Sequence, residues 1–178
     1  MALKPTIYKF RIALSDMDRD YYDSIHLTVA QHPSETSQRM MARLVAFCIN
    51  AQQDLSLTKG LSNIEEPDIW LRTMDDQTTL WIEVGEPDAE RVKKSLRLAK
   101  EVKIYSFNSK SDVWWQQSKD KLSQLEANIY QFNWPDIENL ASMIDRTMDL
   151  SVSISDQSAY IATAKGECQV PWQIMHGE

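Results

Sequence analysis

The chain has 178 residues, 43% hydrophobic and 25% charged, with a net charge of -7, 4 Gly, 6 Pro and 2 Cys, so disordered and collagen-like classes are excluded and one domain spanning 1–178 is expected. Glycine is scarce and neither G-x-x-x-x-G-K-[ST] nor G-x-G-x-x-G occurs, which removes P-loop and dinucleotide-binding readings. Cys48 and Cys168 are too few for a disulfide framework and lack zinc-ligand spacing.

The N-terminal residues lead directly into an alternating run, with Tyr8, Phe10, Ile12 and Leu14 on one face. Ile25, Leu27 and Val29 repeat the pattern after the polar stretch 15–20, which predicts a hairpin. Pro33 and Ser34 then open a helix whose Met40, Met41, Leu44, Val45, Phe47 and Cys48 form one apolar stripe. A strand pair is expected over about 67–84, a helix over about 88–100 capped by Asp88, a strand through Val102, Ile104 and Ser106, and a helix over about 110–124. A strand near 127–133 is followed by a helix with Pro135 in its first turn and Ile137, Leu140, Ala141, Ile144 and Met148 at helical spacing. Strands through Leu150–Ile154, 158–163 and 168–172 close the chain. This alternation predicts an α/β fold with a mixed sheet flanked by helices. No stretch reaches the ~18 apolar residues of a membrane span, so no membrane association and a cytoplasmic location are expected.

The segment that carries chemistry is the strand pair. With its turn centred on Asp75 and Asp76, residue 71 faces 80, 70 faces 81, 69 faces 82 and 68 faces 83. Ile69, Leu71, Leu80 and Ile82 then share one face, whereas Trp70, Trp81, Asp68 and Glu83 share the other. Like charges facing each other across a ladder are destabilising, so the Asp68–Glu83 pair needs a reason. A divalent cation is one, since Mg²⁺ is typically held by one or two carboxylates together with waters and substrate phosphates. The plainer alternative is an acidic pair on a solvated sheet face.

Pro67-Asp68 followed by Glu83 resembles the PD-(D/E)xK motif of the restriction-endonuclease-like superfamily. The whole chain also resembles the YaeQ family of bacterial proteins, through Met1–Lys4, His32–Thr36, Glu66-Pro67-Asp68, Leu80–Glu83, Trp114–Gln117 and Asp145–Met148. The resemblance implies a restriction-endonuclease-like sheet and a nuclease that hydrolyses phosphodiesters of DNA or RNA with Mg²⁺ or Mn²⁺. Asp68 and Glu83 would be its catalytic, metal-holding acids. The motif lysine is expected two residues after Glu83, where this sequence has Gly85. Lys93 and Lys94 on the following helix are the candidates to replace it, Lys93 at the margin of the buried side and Lys94 nearly opposite. Glu35 is a further candidate metal ligand, although a glutamate in a first helical turn is also expected from the helix dipole.

Between 91 and 110, seven basic residues stand against Glu101, giving +6 and leaving -13 elsewhere. This stretch is the candidate nucleic-acid contact, its plainer alternative being a solvated face. Trp70 and Trp81 are candidates to line a substrate groove, while Trp114 and Trp115 read more economically as packing residues. His32 could be a general acid or phosphate contact, its plainer alternative being a structural or capping role, and His26 and His176 show no ligand spacing. The alternative to hydrolysis is a catalytically inactive nuclease-fold protein that binds nucleic acid or protein. Partners and oligomeric state have no signature here.

Overall fold

The computed structural model describes residues 4–59 and 64–178; Met1, Ala2 and Leu3, part of the first resembling stretch, lie outside the described residues. The elements in chain order are β1 (Thr6–Asp16), β2 (Tyr21–Gln31), α1 (Ser37–Ile49), β3 (Leu55–Leu57), β4 (Ile69–Arg72), β5 (Thr78–Val84) and α2 (Ala89–Leu98). There follow β6 (Ala99–Ser106), α3 (Ser111–Leu122), β7 (Asn128–Phe132), α4 (Trp134–Ala141), β8 (Thr147–Ser155), β9 (Ser158–Thr163) and β10 (Gly166–His176). The ten strands make a single mixed sheet in the order β2-β1-β8-β9-β10-β7-β6-β5-β4-β3. The pairs β1–β8, β5–β6 and β6–β7 are parallel and the rest antiparallel. The expected mixed sheet flanked by helices is therefore present.

Alternation decides which side of the sheet each strand feeds. Ile69, Leu80, Ile82, Val84 and Tyr105 join α1 and α4 in the larger core, with Phe10, Ile12, Leu14, Leu150 and Val152. Trp81, Val102, Ile104 and Ile129 point the other way and pack against Val92 of α2 and Leu122 of α3. Trp114 and Trp115 pack on the rim of this second core, as their plainer reading required.

Three expectations are corrected. Helix α1 begins after its N-cap Thr36, not at Pro33 and Ser34, and it buries every residue from Met40 to Cys48 rather than one stripe. A helix enclosed on all sides is a core element, and Arg43 among those residues must be paired to be there. The fourth helix stops at Ala141, so Ile144 and Met148 are not part of it. Met148 belongs instead to the period-two series Met148, Leu150, Val152, Ile154 of β8, which lies beside β1 with Met148 opposite Phe10. Helix α2 ends at Leu98, short of the expected 100, and Ala99 starts β6 opposite Thr78. The short edge strand β3 carries no alternation long enough to be read from sequence.

Candidate functional site

Antiparallel β4 and β5 pair Ile69 with Ile82, Trp70 with Trp81 and Leu71 with Leu80, the register expected; it slips only beyond Leu71, where Arg72 meets Thr78. Asp68 stands just before β4, its N–H donating to the Ile82 carbonyl at 3.0 Å. That places it at the carboxyl end of β5, where Glu83 also lies. Both acids are buried, and both line one open cleft of about 320 Å³ with Arg39, Arg91, Glu66, Glu86 and the turn Val84–Pro87. Ligands of α/β sheets commonly settle outside the carboxyl ends of strands.

The two side chains do not share a face in the way the register implied. Asp68 reaches toward α1: Arg39 Nη2 donates to its Oδ1 at 2.6 Å, and the Val84 N–H donates to Oδ2 at 2.7 Å. Glu83 stays on the α2 side, its Oε1 accepting from Trp81 Nε1 at 3.0 Å and its Oε2 from Arg91 Nε at 2.9 Å, with Arg91 Nε also in ion-pair contact with Oε1 at 2.7 Å. Burial pushes the Glu83 carboxyl above its ordinary value; Arg91 and Trp81 oppose this, and the Asp68 charge adds to it. The acids therefore sense each other, while each is held by a guanidinium.

Glu35 is not on a solvated helix face. It precedes the Thr36 cap, is buried, and accepts from Arg43 Nη2 at 2.6 Å on Oε1 and from Arg43 Nε at 2.9 Å and Arg39 Nη1 at 2.6 Å on Oε2. Arg39 and Arg43, one helical turn apart on α1, both reach back to the Glu35 that precedes the cap. Burial works against the charge of Arg39, but Asp68 and Glu35 beside it outweigh this and hold its pKa above the ordinary value.

Neither candidate lysine enters the cleft. Lys93 is 48% exposed and pairs with Glu90 at 3.3 Å; Lys94 is 54% exposed and pairs with Glu65 at 3.1 Å. Among the described residues, the cations that do enter are Arg39 and Arg91. The sequence held one signal for them, an arginine a helical turn beyond each of Glu35 and Asp88. Arg91 also donates to the carbonyls of Ile64 and Glu66, at 2.8 and 3.3 Å, tying that loop to α2.

The position of the motif lysine has a backbone reason. Gly85 sits at φ +140°, a conformation L-residues rarely adopt, while its N–H donates to the Tyr105 carbonyl at 2.8 Å. Nothing lies within 4 Å of where a Cβ would stand, so the constraint comes from the backbone and not from crowding.

The basic stretch is divided between the two faces of the sheet. Arg91 enters the cleft, but Lys103 points to the α1 side and donates to Asn50 Oδ1 at 2.8 Å. Trp70 is covered by the Arg72 guanidinium, 4.6 Å from its ring centre, and neither it nor Trp81 lines the acid cleft. His32 Nδ1 lies 2.7 Å from Ser34 Oγ, closing the turn before α1 in line with its plainer reading. Among the described residues, no three His, Cys, Asp or Glu side chains converge as a metal-ligand group. A divalent ion would therefore rely on Asp68 and Glu83, with water or phosphate oxygens completing its shell, and Arg39 and Arg91 would have to yield the oxygens they hold. Among the described residues, no helix is long and apolar enough to cross a membrane.

The family model described as YaeQ protein matches residues 1–172. Relatives from Salmonella typhi and from Escherichia coli (strain K12), both described as uncharacterized protein YaeQ, are 38% identical over 97% of this chain and 98% of their own. The crystal structure of YaeQ protein from Xanthomonas axonopodis pv. citri superposes with a TM-score of 0.94 at 31% identity, over 98% of this chain and 99% of that one. That of YaeQ protein from Pseudomonas syringae gives 0.93 at 34% identity, over 98% and 97%. The chain belongs to the YaeQ family.

Proposed function

We propose that this YaeQ-family protein is a divalent-metal-dependent phosphodiesterase acting on nucleic acid, with a fold of the PD-(D/E)xK, restriction-endonuclease-like type. The observation that carries this reading is the charge of the cleft: Asp68, Glu83, Glu66 and Glu86 against Arg39 and Arg91. Four acidic residues against two arginines give the cleft lining a net negative charge, which repels a bare polyanion and favours one arriving with a cation. Asp68 and Glu83 would hold Mg²⁺ or Mn²⁺, which supplies a bound water of lowered pKa and a counter-charge for the phosphoryl oxygens. Arg39 and Arg91 offer planar forks that match phosphate geometry. Trp81 orients Glu83 through its indole N–H, and the Val84 N–H orients Asp68. Glu35 is left out of the ligand set because it does not line the cleft. Lys93 and Lys94 are left out because they lie outside the cleft.

The second reading, a nuclease-fold protein that binds nucleic acid or protein without cleaving, is favoured by the same ion pairs: both motif acids are engaged by arginine, and Gly85 replaces the lysine. One experiment separates the two. Purified protein with Mg²⁺ or Mn²⁺ is incubated with supercoiled plasmid and with single-stranded RNA, beside Asp68→Asn and Glu83→Gln. Hydrolysis predicts nicking that both variants lose while keeping a cooperative melt. Equal cleavage by wild type and variants rejects the site, and no cleavage by any of them supports the binding reading.

A further inference from the structure

The charged groups in and beside the cleft form two networks, Glu35–Arg43–Arg39–Asp68 and Glu83–Arg91, and they are not equally committed. Arg43 holds both oxygens of Glu35 and is buried, so the Glu35 charge is balanced without further help. Arg91 is bound to Glu83 and to two main-chain carbonyls at once. Arg39 differs from both. Its Nη1 bond to Glu35 duplicates what Arg43 supplies, and only its Nη2 bond, to Asp68, is unshared by another arginine. Its side chain is 16% exposed against 3% for Arg43, and it lines the open cleft.

We propose, resting on the phosphodiesterase reading of the same cleft, that Arg39 is the residue that receives a phosphate oxygen of the nucleic acid. It stands in for the lysine absent at Gly85 and is held in reserve on Asp68 as an internal counter-ion. A guanidinium binds phosphate through two parallel N–H groups, which an ammonium cannot reproduce. Transfer of Arg39 from Asp68 to phosphate leaves Glu35 still paired with Arg43, so no buried carboxylate is orphaned on α1. Asp68 keeps the Val84 N–H and is freed for the cation that accompanies the polyanion. Moving Arg91 instead would strip Glu83 and two carbonyls together. Arg39 and a divalent ion therefore compete for Asp68, while Asp68 and phosphate compete for Arg39.

The test uses the full chain as wild type, Arg39→Gln and Arg39→Lys, with Lys93→Gln removing the same charge outside the cleft. Calorimetry with MnCl₂ and fluorescence anisotropy with a short single-stranded DNA oligonucleotide in Ca²⁺ read the two competitions separately. Losing one charge-assisted hydrogen bond is worth roughly tenfold or more. Arg39→Gln is expected to bind Mn²⁺ about tenfold more tightly and the oligonucleotide about tenfold more weakly. Arg39→Lys, which keeps the charge and loses the fork, is expected to fall between on DNA with an unchanged melt, and Lys93→Gln to stay within about twofold on both. Should Arg39→Gln not fold, the Arg39→Lys measurement carries the same prediction for DNA. Oligonucleotide affinity unchanged at Arg39, or lost equally at Lys93, overturns the assignment while leaving the metal reading standing. No Mn²⁺ uptake by wild type or by any variant overturns the metal reading and the assignment with it.

Discussion

Gly85 shows how one residue's backbone can override a motif. At φ +140° a side chain is strained whatever the space around it, and such conformations cost a non-glycine residue about 1–3 kcal/mol. Gly85→Lys, which restores the motif on paper, is expected to lower unfolding stability in urea by about that amount and to add no nuclease activity. A stable Gly85→Lys with raised activity would mean the loop adapts freely. Glu83 gives the pH prediction. Because burial raises its pKa, the folded chain holds this proton at pH values where the unfolded chain has released it. The Glu83 contribution to stability is therefore greatest below the ordinary glutamate pKa of about 4.3 and declines as pH rises through the raised value. Melts of wild type and Glu83→Gln should show the wild-type advantage shrinking from about pH 4 upward, whereas an advantage that grows would reverse the sign.

At the scale of elements, α1 is fixed by the buried Arg43–Glu35 pair as well as by its apolar residues. Removing one partner of a buried ion pair typically costs about 3–5 kcal/mol, because the other charge stays behind. Arg43→Met should approach that loss by urea denaturation, reduced to the extent that Arg39 still serves Glu35, whereas Lys94→Ala, on an exposed pair, should stay within about 1 kcal/mol. An equal effect of the two would deny the Glu35–Arg43 pair its structural role. The elements were legible wherever one period dominated. The β4–β5 register followed from Ile69, Leu71, Leu80 and Ile82, and the Asp88 cap from its place before α2, where it accepts from the Arg91 N–H at 2.8 Å. Met148 was misread because its spacing from Ile137 satisfies a helix while its neighbours satisfy a strand, and pairing with β1 decides between them. The spacing from Glu35 and Asp88 marks Arg39 and Arg91 but not what they bind, because their cleft partners Asp68 and Glu83 lie on other elements and meet them only when α1 and α2 are brought to the same end of β5.

For the whole molecule, the ten-stranded sheet separates two cores and brings the N-terminal parts of α1 and α2, one from each side, to the carboxyl end of β5. This is how residues as distant in sequence as Arg39, Asp68, Glu83 and Arg91 come to line one cleft. It also explains why the basic stretch 91–110 is no continuous patch, since its strand residue Lys103 and its helix residues Lys93 and Lys94 face opposite sides of the sheet. The architecture supplies a negative cleft with arginines at its walls; whether those arginines yield to a cation determines the chemistry. Anomalous diffraction from a crystal soaked in Mn²⁺ addresses this directly. The expected result is a manganese peak bridging the Asp68 and Glu83 carboxylates, with the Arg39 guanidinium displaced from Asp68. A cleft without a peak at saturating Mn²⁺, its carboxylates still bound to Arg39 and Arg91, would contradict it.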